Sequence, residues 1–171
     1  MNEIKITPSL PLAPSSKDYS ELKEVFSYVV DCLAEISMSI SMLTTNRIKF
    51  IYVEPYNVYL LERMFFNTIF LNICRFDEAL SSKRLFNKYF NKEKAEIDNI
   101  LRKYKKGIKN YRNTYLAHPE NKQKKISSPQ ERTQMIKGIF TNEQQFINDI
   151  DKLRDVLFKL CHYFDLAKKV T

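Results

Sequence analysis

Apolar residues recur at intervals of three and four along most of this chain. Leu22, Val25, Phe26, Val29, Leu33, Ile36, Ile40 and Leu43 form the first such series. That spacing puts them on one face of a helix running to about Thr45. Ser15 or Ser16 can cap its start, with Asp18 and Glu21 in the first turn. Residues 1–15 show no period and are rich in Pro and Ser. They predict an extended N-terminal arm ahead of one domain over 16–171.

Arg47 to Glu54 is β-branched and aromatic, which suggests a short strand or an extended connector. Pro55 then opens a second helix, about 56–81. Its residues Val58, Leu61, Met64, Phe65, Ile69, Phe70, Ile73 and Leu80 leave little polar face, so it should be the central and most buried helix. Arg75 and Asp77 interrupt it. A buried charge needs a partner, so the two either serve structure or border a site.

Asn91 can cap a third helix, with Glu93 and Glu96 placed early as the helix dipole prefers. Ile97, Leu101, Tyr104, Ile108, Tyr111 and Tyr115 carry its apolar stripe. Gly107 sits inside it, at a cost of about 1 kcal/mol relative to Ala. It marks either the close approach of another backbone or simple tolerance. Pro119 disfavours the α conformation at His118 and should end the helix there. On an ideal helix Arg112 and His118 would stand about 120° out of register. Release of His118 from the helical path would let its ring swing toward Arg112 or toward a partner chain.

Residues 119–128 read as a basic polar loop. Ser128-Pro129-Gln130-Glu131 is a capping box that opens a short helix stopping near Gly138. Thr141-Asn142-Glu143-Gln144 reads as a second box. After it Phe146, Ile150, Leu153, Leu157, Leu160 and Phe164 keep the three-four rhythm to about Ala167. Four long helices with one short one predict an all-α, up-and-down bundle.

The composition agrees with this. In 171 residues there are only two Gly and six Pro, so long stretches lack breakers. A chain of this length buries roughly 70% of its unfolded surface, enough for one domain. Cys32, Cys74 and Cys161 are odd in number and far apart, each on an apolar stripe. They predict buried free thiols rather than a zinc site. No run of 18 apolar residues occurs and the N-terminus lacks a signal-peptide core, so no membrane span is expected and a cytosolic protein is.

Charge singles out one region. The chain carries a net +8, yet Lys83 to Lys125 alone holds 14 Lys/Arg against 4 Asp/Glu. The rest is slightly acidic. Such a field attracts polyanions, with RNA or DNA the natural candidate, although a solvated helix face and a lysine-rich loop would read the same way. At its centre lies Arg112-Asn113-Thr114-Tyr115-Leu116-Ala117-His118, closed by Pro119. It gathers a guanidinium, a carboxamide and one of only two histidines. Plainer roles exist for each: a surface ion pair for Arg112, solvation for Asn113, a dipole-favoured cation for His118. His162 has only Asp165 as a nearby carboxylate and reads as helix surface. Tyr111 and Tyr115 are spaced for core packing, although aromatic rings also stack on bases.

In this context the segment resembles the HEPN family of small helical bundles. That family's motif is an Arg, four to six residues, then a His, usually with Asn, Asp or His after the Arg. Arg112, Asn113 and His118 match these positions. Ala117 before the His resembles abortive-infection-type members, as do Arg75 and Asp77 late in the preceding long helix. Thr114 departs from them, because such members often carry Lys there. The resemblance follows the helix order over about 18–168 but rests on these few positions.

It implies a metal-independent endoribonuclease with no cofactor, two copies placing their motifs across a shared cleft. A toxin or phage-defence role, with an antitoxin or regulatory partner, would follow. RNA supplies its own nucleophile, the 2′-OH. His118 would move the proton, Arg112 would hold the phosphate, and Asn113 would orient either. Lys103, Lys105, Lys106 and Lys109, with Lys122, Lys124 and Lys125, would hold the backbone without reading sequence. Arg75, Asp77 and Tyr115 would stand behind the site. The alternatives are a non-catalytic HEPN-like module that binds RNA or protein, and a helical interaction protein whose motif is accidental.

Overall fold

The computed structural model describes the backbone of residues 14–49, 55–82, 84–116 and 128–164, and side chains there except at 46–49, 55–59 and 82. Among the described residues there is no strand. The elements are α1 (Ser16–Lys49), α2 (Pro55–Ser82), α3 (Arg84–Tyr89), α4 (Asn91–Tyr111), a π-helical turn (Arg112–Leu116), α5 (Pro129–Ile139) and α6 (Glu143–Tyr163). The four long helices form the all-α bundle expected of the sequence. α1 packs most extensively on α2, α4 lies against α5 and α6, and α6 returns to α1.

The three-four stripes are the core. Leu22, Phe26, Val29, Leu33, Ile36 and Leu43 of α1 are buried, as are Ile97, Leu101, Tyr104, Ile108 and Tyr111 of α4. On α6 the buried set includes Phe146, Ile150, Leu153, Leu157 and Leu160, continued by Phe164. Two aromatic clusters close the bundle. Phe26 stacks on Phe164 at 4.9 Å and meets Phe86 and Phe90 edge-on. Phe140 stacks on Phe146 at 5.0 Å, and Phe146 joins Phe70 and Tyr104. Edge-on and offset rings are the favoured geometries for such pairs. Tyr111 belongs to the second cluster through Phe70, which anchors the end of α4. The three cysteines are buried free thiols, and burial raises the Cys161 pKa to about 11.

Helix ends follow local chemistry, with four departures from the sequence reading. Arg47–Lys49 continue α1 rather than starting a strand or connector; extending a helix already nucleated costs little. Residues 50–54 lie outside the described residues. Asn91 is helical and Phe90 is the cap, without a side-chain hydrogen bond. The Phe90 ring is buried, so packing rather than capping sets where α4 starts. Asn142, not Thr141, caps α6, its Oδ1 accepting from the Gln145 N–H at 3.0 Å; Asn is the stronger cap. α3 was not expected, since six residues are too short to show a period. It is fastened by Asp18, which accepts from the Tyr89 hydroxyl at 2.6 Å and pairs with Lys88 at 3.2 Å. The Ser128 capping box forms as expected, and Ser15 accepts from the Asp18 N–H.

α2 buries Phe66, Ile69, Phe70, Ile73, Phe76 and Leu80 but leaves Met64 59% exposed, so it is not apolar-packed all round. α1 also shows apolar surface at Tyr28, Met38 and Met42. Over Ser16–Thr45 it is long and apolar enough to cross a bilayer, with a third of its most apolar window buried. Length and composition alone do not separate such a helix from a bundle helix.

Candidate functional site

α-Helical winding does not run on to His118. It stops at Tyr111, and the wider π turn carries Arg112 to Leu116. Tyr111 is fully buried, its hydroxyl donating to Asn67 Oδ1 at 2.7 Å. Burial pushes its pKa up to about 12. The Tyr115 ring lies 5.3 Å from that of Tyr111, with the Arg132 guanidinium 6.0 Å from the Tyr115 ring centre. Tyr115 and Leu116 stay packed on the core. With both tyrosines pinned, the extra residue of the π turn is taken up between them, where Arg112 and Asn113 stand off the buried face. Ideal α-helical register therefore does not hold over Arg112–Leu116. Single π turns inside helices often occur at functional sites. His118, Lys122, Lys124 and Lys125 lie outside the described residues.

Arg112 is one-quarter exposed and pairs with Glu78 of α2, one guanidinium N–H donating to the carboxylate. Its Nε donates to Asn113 Oδ1 at 3.3 Å. The Glu78 hydrogen bond raises the arginine's pKa further, and the neighbouring Cys74 thiol adds to this. Burial holds that thiol above the ordinary cysteine value. Asn113 is exposed.

The residues expected behind the site divide differently. Asp77 pairs with Lys105 at 2.8 Å, about two turns short of Arg112. Arg75 is exposed and acts electrostatically on Tyr28 and Cys32 of α1. It is neither buried nor part of this group. Glu78, which sequence reasoning passed over, holds Arg112 instead, with Cys74 acting on it electrostatically. Their only signal was a spacing of four on α2, one turn that faces α4.

The lysines also separate. Lys103 pairs with Asp149 of α6 at 2.6 Å and Lys105 with Asp77. Lys106 and Lys109 are exposed and pair with no carboxylate among the described residues. With Arg102, which likewise pairs with no carboxylate among the described residues, they stand at i, i+4 and i+7, a cationic stripe that runs toward the π turn. Gly107, on the neighbouring side, marks a close approach. A Cβ there would lie 3.2 Å from Ile139 Cγ1, so α5 rests on α4 at this point.

No group of three or more His, Cys, Asp or Glu is arranged to hold a metal among the described residues. The arrangement offers a guanidinium, a carboxamide and a row of free cations, which suits a phosphodiester backbone. Comparison with protein-family models, with curated proteins and with solved structures finds no match.

Proposed function

We propose that this protein is a metal-independent endoribonuclease of the HEPN type, acting as a homodimer on RNA in the cytoplasm. A toxin or phage-defence role, held in check by a protein partner, fits that activity. One observation carries the reading. The π turn sets Arg112 and Asn113 off the core at the end of the free cationic stripe Arg102–Lys106–Lys109. The stripe would bind successive phosphates electrostatically. Arg112 would bind the scissile phosphate and stabilise the charge growing on its oxygens. His118, six positions on, would exchange the 2′-OH proton or protonate the leaving 5′-oxygen. The three buried thiols suit a reducing compartment.

The test is cleavage of single-stranded RNA in the presence of EDTA. Products ending in a 2′,3′-cyclic phosphate are expected, with DNA left intact for want of a 2′-OH. Arg112→Ala and His118→Ala should each lower the rate by about 10²–10⁴-fold. Cleavage unaffected by either substitution would sink the proposal.

The second reading, a non-catalytic module that binds RNA or protein, is favoured by the Arg112–Glu78 pair, which occupies the guanidinium. It expects no cleavage by the wild type and weaker binding after Arg112→Ala.

A further inference from the structure

The roomiest cavity described, about 590 Å³, lies between α4 and α6, away from the π turn. Its volume is in the range of small-ligand sites. Arg102 and Lys103 of α4 and Lys152 of α6 supply three cations to its lining, beside the Asn99 carboxamide and the half-buried Ile100. Asp149 sits in its wall and is only 5% exposed. Its Oδ2 accepts from the Tyr104 hydroxyl at 2.6 Å and pairs with Lys103 at 2.6 Å. Its Oδ1 accepts from Gln145 at 3.0 Å and lies 3.8 Å from Lys152. The carboxylate is thus fully engaged and holds two lysines at the cavity from opposite helices. Glu96 is the one other acid in the lining, and it is exposed.

Position gives the cavity its meaning. Arg102 belongs both to its lining and to the free stripe of α4. Ten residues of helix separate Arg102 from Arg112, about 15 Å. One strand lying along Lys106 and Lys109 would reach both.

We propose that the α4–α6 cavity is a nucleotide subsite, seating one nucleotide of the RNA strand a few residues away from the bond at Arg112. Arg102 and Lys152 take its phosphate, Lys103 remaining on Asp149. Ile100 gives the base an apolar surface, and Asn99 offers a donor and an acceptor to its edge. This subsite rests on the endoribonuclease reading and adds to it a minimum substrate length and a contact on α6, where sequence reasoning placed none.

The test is binding of 2′-O-methyl oligonucleotides, which cannot be cleaved, in a ladder of lengths from the dinucleotide upward. Wild-type affinity should step up at the length that spans Arg112 and the cavity. Arg102→Ala with Lys152→Ala should remove that step, about tenfold or more, and leave oligomers too short to reach Arg102 unaffected; Lys152→Ala alone, on α6 and outside the α4 stripe, should lower the step. Lys152→Arg with Arg102 intact should keep it. Both side chains are exposed, so the thermal midpoint should not move. An unchanged step in the double variant, with Arg112→Ala still weakening all lengths, overturns the subsite alone. No binding by the wild type at any length overturns the RNA reading with it.

Discussion

Arg112 is closed onto Glu78, a carboxylate 34 positions earlier in the chain. The pair joins the π turn to α2 and leaves the Glu78 side chain 61% exposed and the Arg112 side chain 24% exposed. A phosphate reaching Arg112 must therefore compete with Glu78, and the acid's charge would repel it.

Glu78→Gln removes both the competitor and the repulsion. An exposed ion pair is worth about 0.2–1 kcal/mol, so RNA affinity at low salt should rise by about 1.4- to fivefold. Folding stability should fall by no more than about 1 kcal/mol. The gain should vanish in an Arg112→Ala background. If it persists there, Glu78 acts only through overall charge and does not screen the arginine.

The cations of α4 should not contribute equally. Lys106 and Lys109 have no carboxylate partner among the described residues, whereas Asp77 holds Lys105. A phosphate-contacting cation on a single strand adds about 0.7 to the slope of log affinity against log salt. Lys106→Ala and Lys109→Ala should each flatten the slope by about that amount, and Lys105→Ala by clearly less. Titrations at several salt concentrations measure this. Equal slopes for all three variants would mean that the Asp77 pair opens on binding.

Periodicity revealed most of this fold, because burial is what a three-four stripe encodes. The buried residues of α4 are the very ones the stripe names. It could not reveal α3, which buries Phe86 and Tyr89 within a single short segment. Nor could it reveal the π turn, which follows from anchoring Tyr111 and Tyr115 in tertiary contacts. At the site, the sequence brought Arg112 and Asn113 together because they are neighbours. Glu78 and Lys152 come from other helices, and no local pattern joins them to α4. Arg75 and Asp77 look like a pair in sequence, yet two residues along a helix point them in different directions.

Asp149 should give the fold an acid-sensitive element. Burial disfavours its charge, but hydrogen bonds from Lys103, Tyr104 and Gln145 together outweigh this and hold its pKa below 3.8. Asp18 is lowered as well, first by the Tyr89 hydroxyl and then by Lys88. A carboxylate depressed in the folded state stabilises it fully above the unfolded pKa. That contribution is lost as pH falls from about 4 through the folded value. Asp149→Ala should cost roughly 1–3 kcal/mol at neutral pH, since the buried Tyr104 hydroxyl loses its acceptor. Its deficit relative to wild type should narrow below pH 4, as followed by chemical denaturation. A deficit that stays constant to pH 2 would show that the charge of Asp149 is not what stabilises the fold.

The two glycines make a matched pair for testing the α4–α5 contact. A Cβ at Gly138, in the last turn of α5, would meet no atom within 4 Å. Gly138→Ala should therefore return the propensity gain of roughly 0.5–1 kcal/mol and raise the thermal midpoint. At Gly107 the same methyl would lie 3.2 Å from Ile139 Cγ1 and 3.6 Å from its Cα. Ile139 is buried beside Phe140 and cannot give way freely, so crowding should offset the gain. Gly107→Ala should leave stability near wild type or lower it, and Gly107→Val should lower it clearly, by about 1–3 kcal/mol. Because Gly107 lies between Lys106 and Lys109, that loss should be accompanied by weaker RNA binding as α5 is pushed off the helix. A stabilised Gly107→Ala variant would show that α5 does not press on α4 at this point.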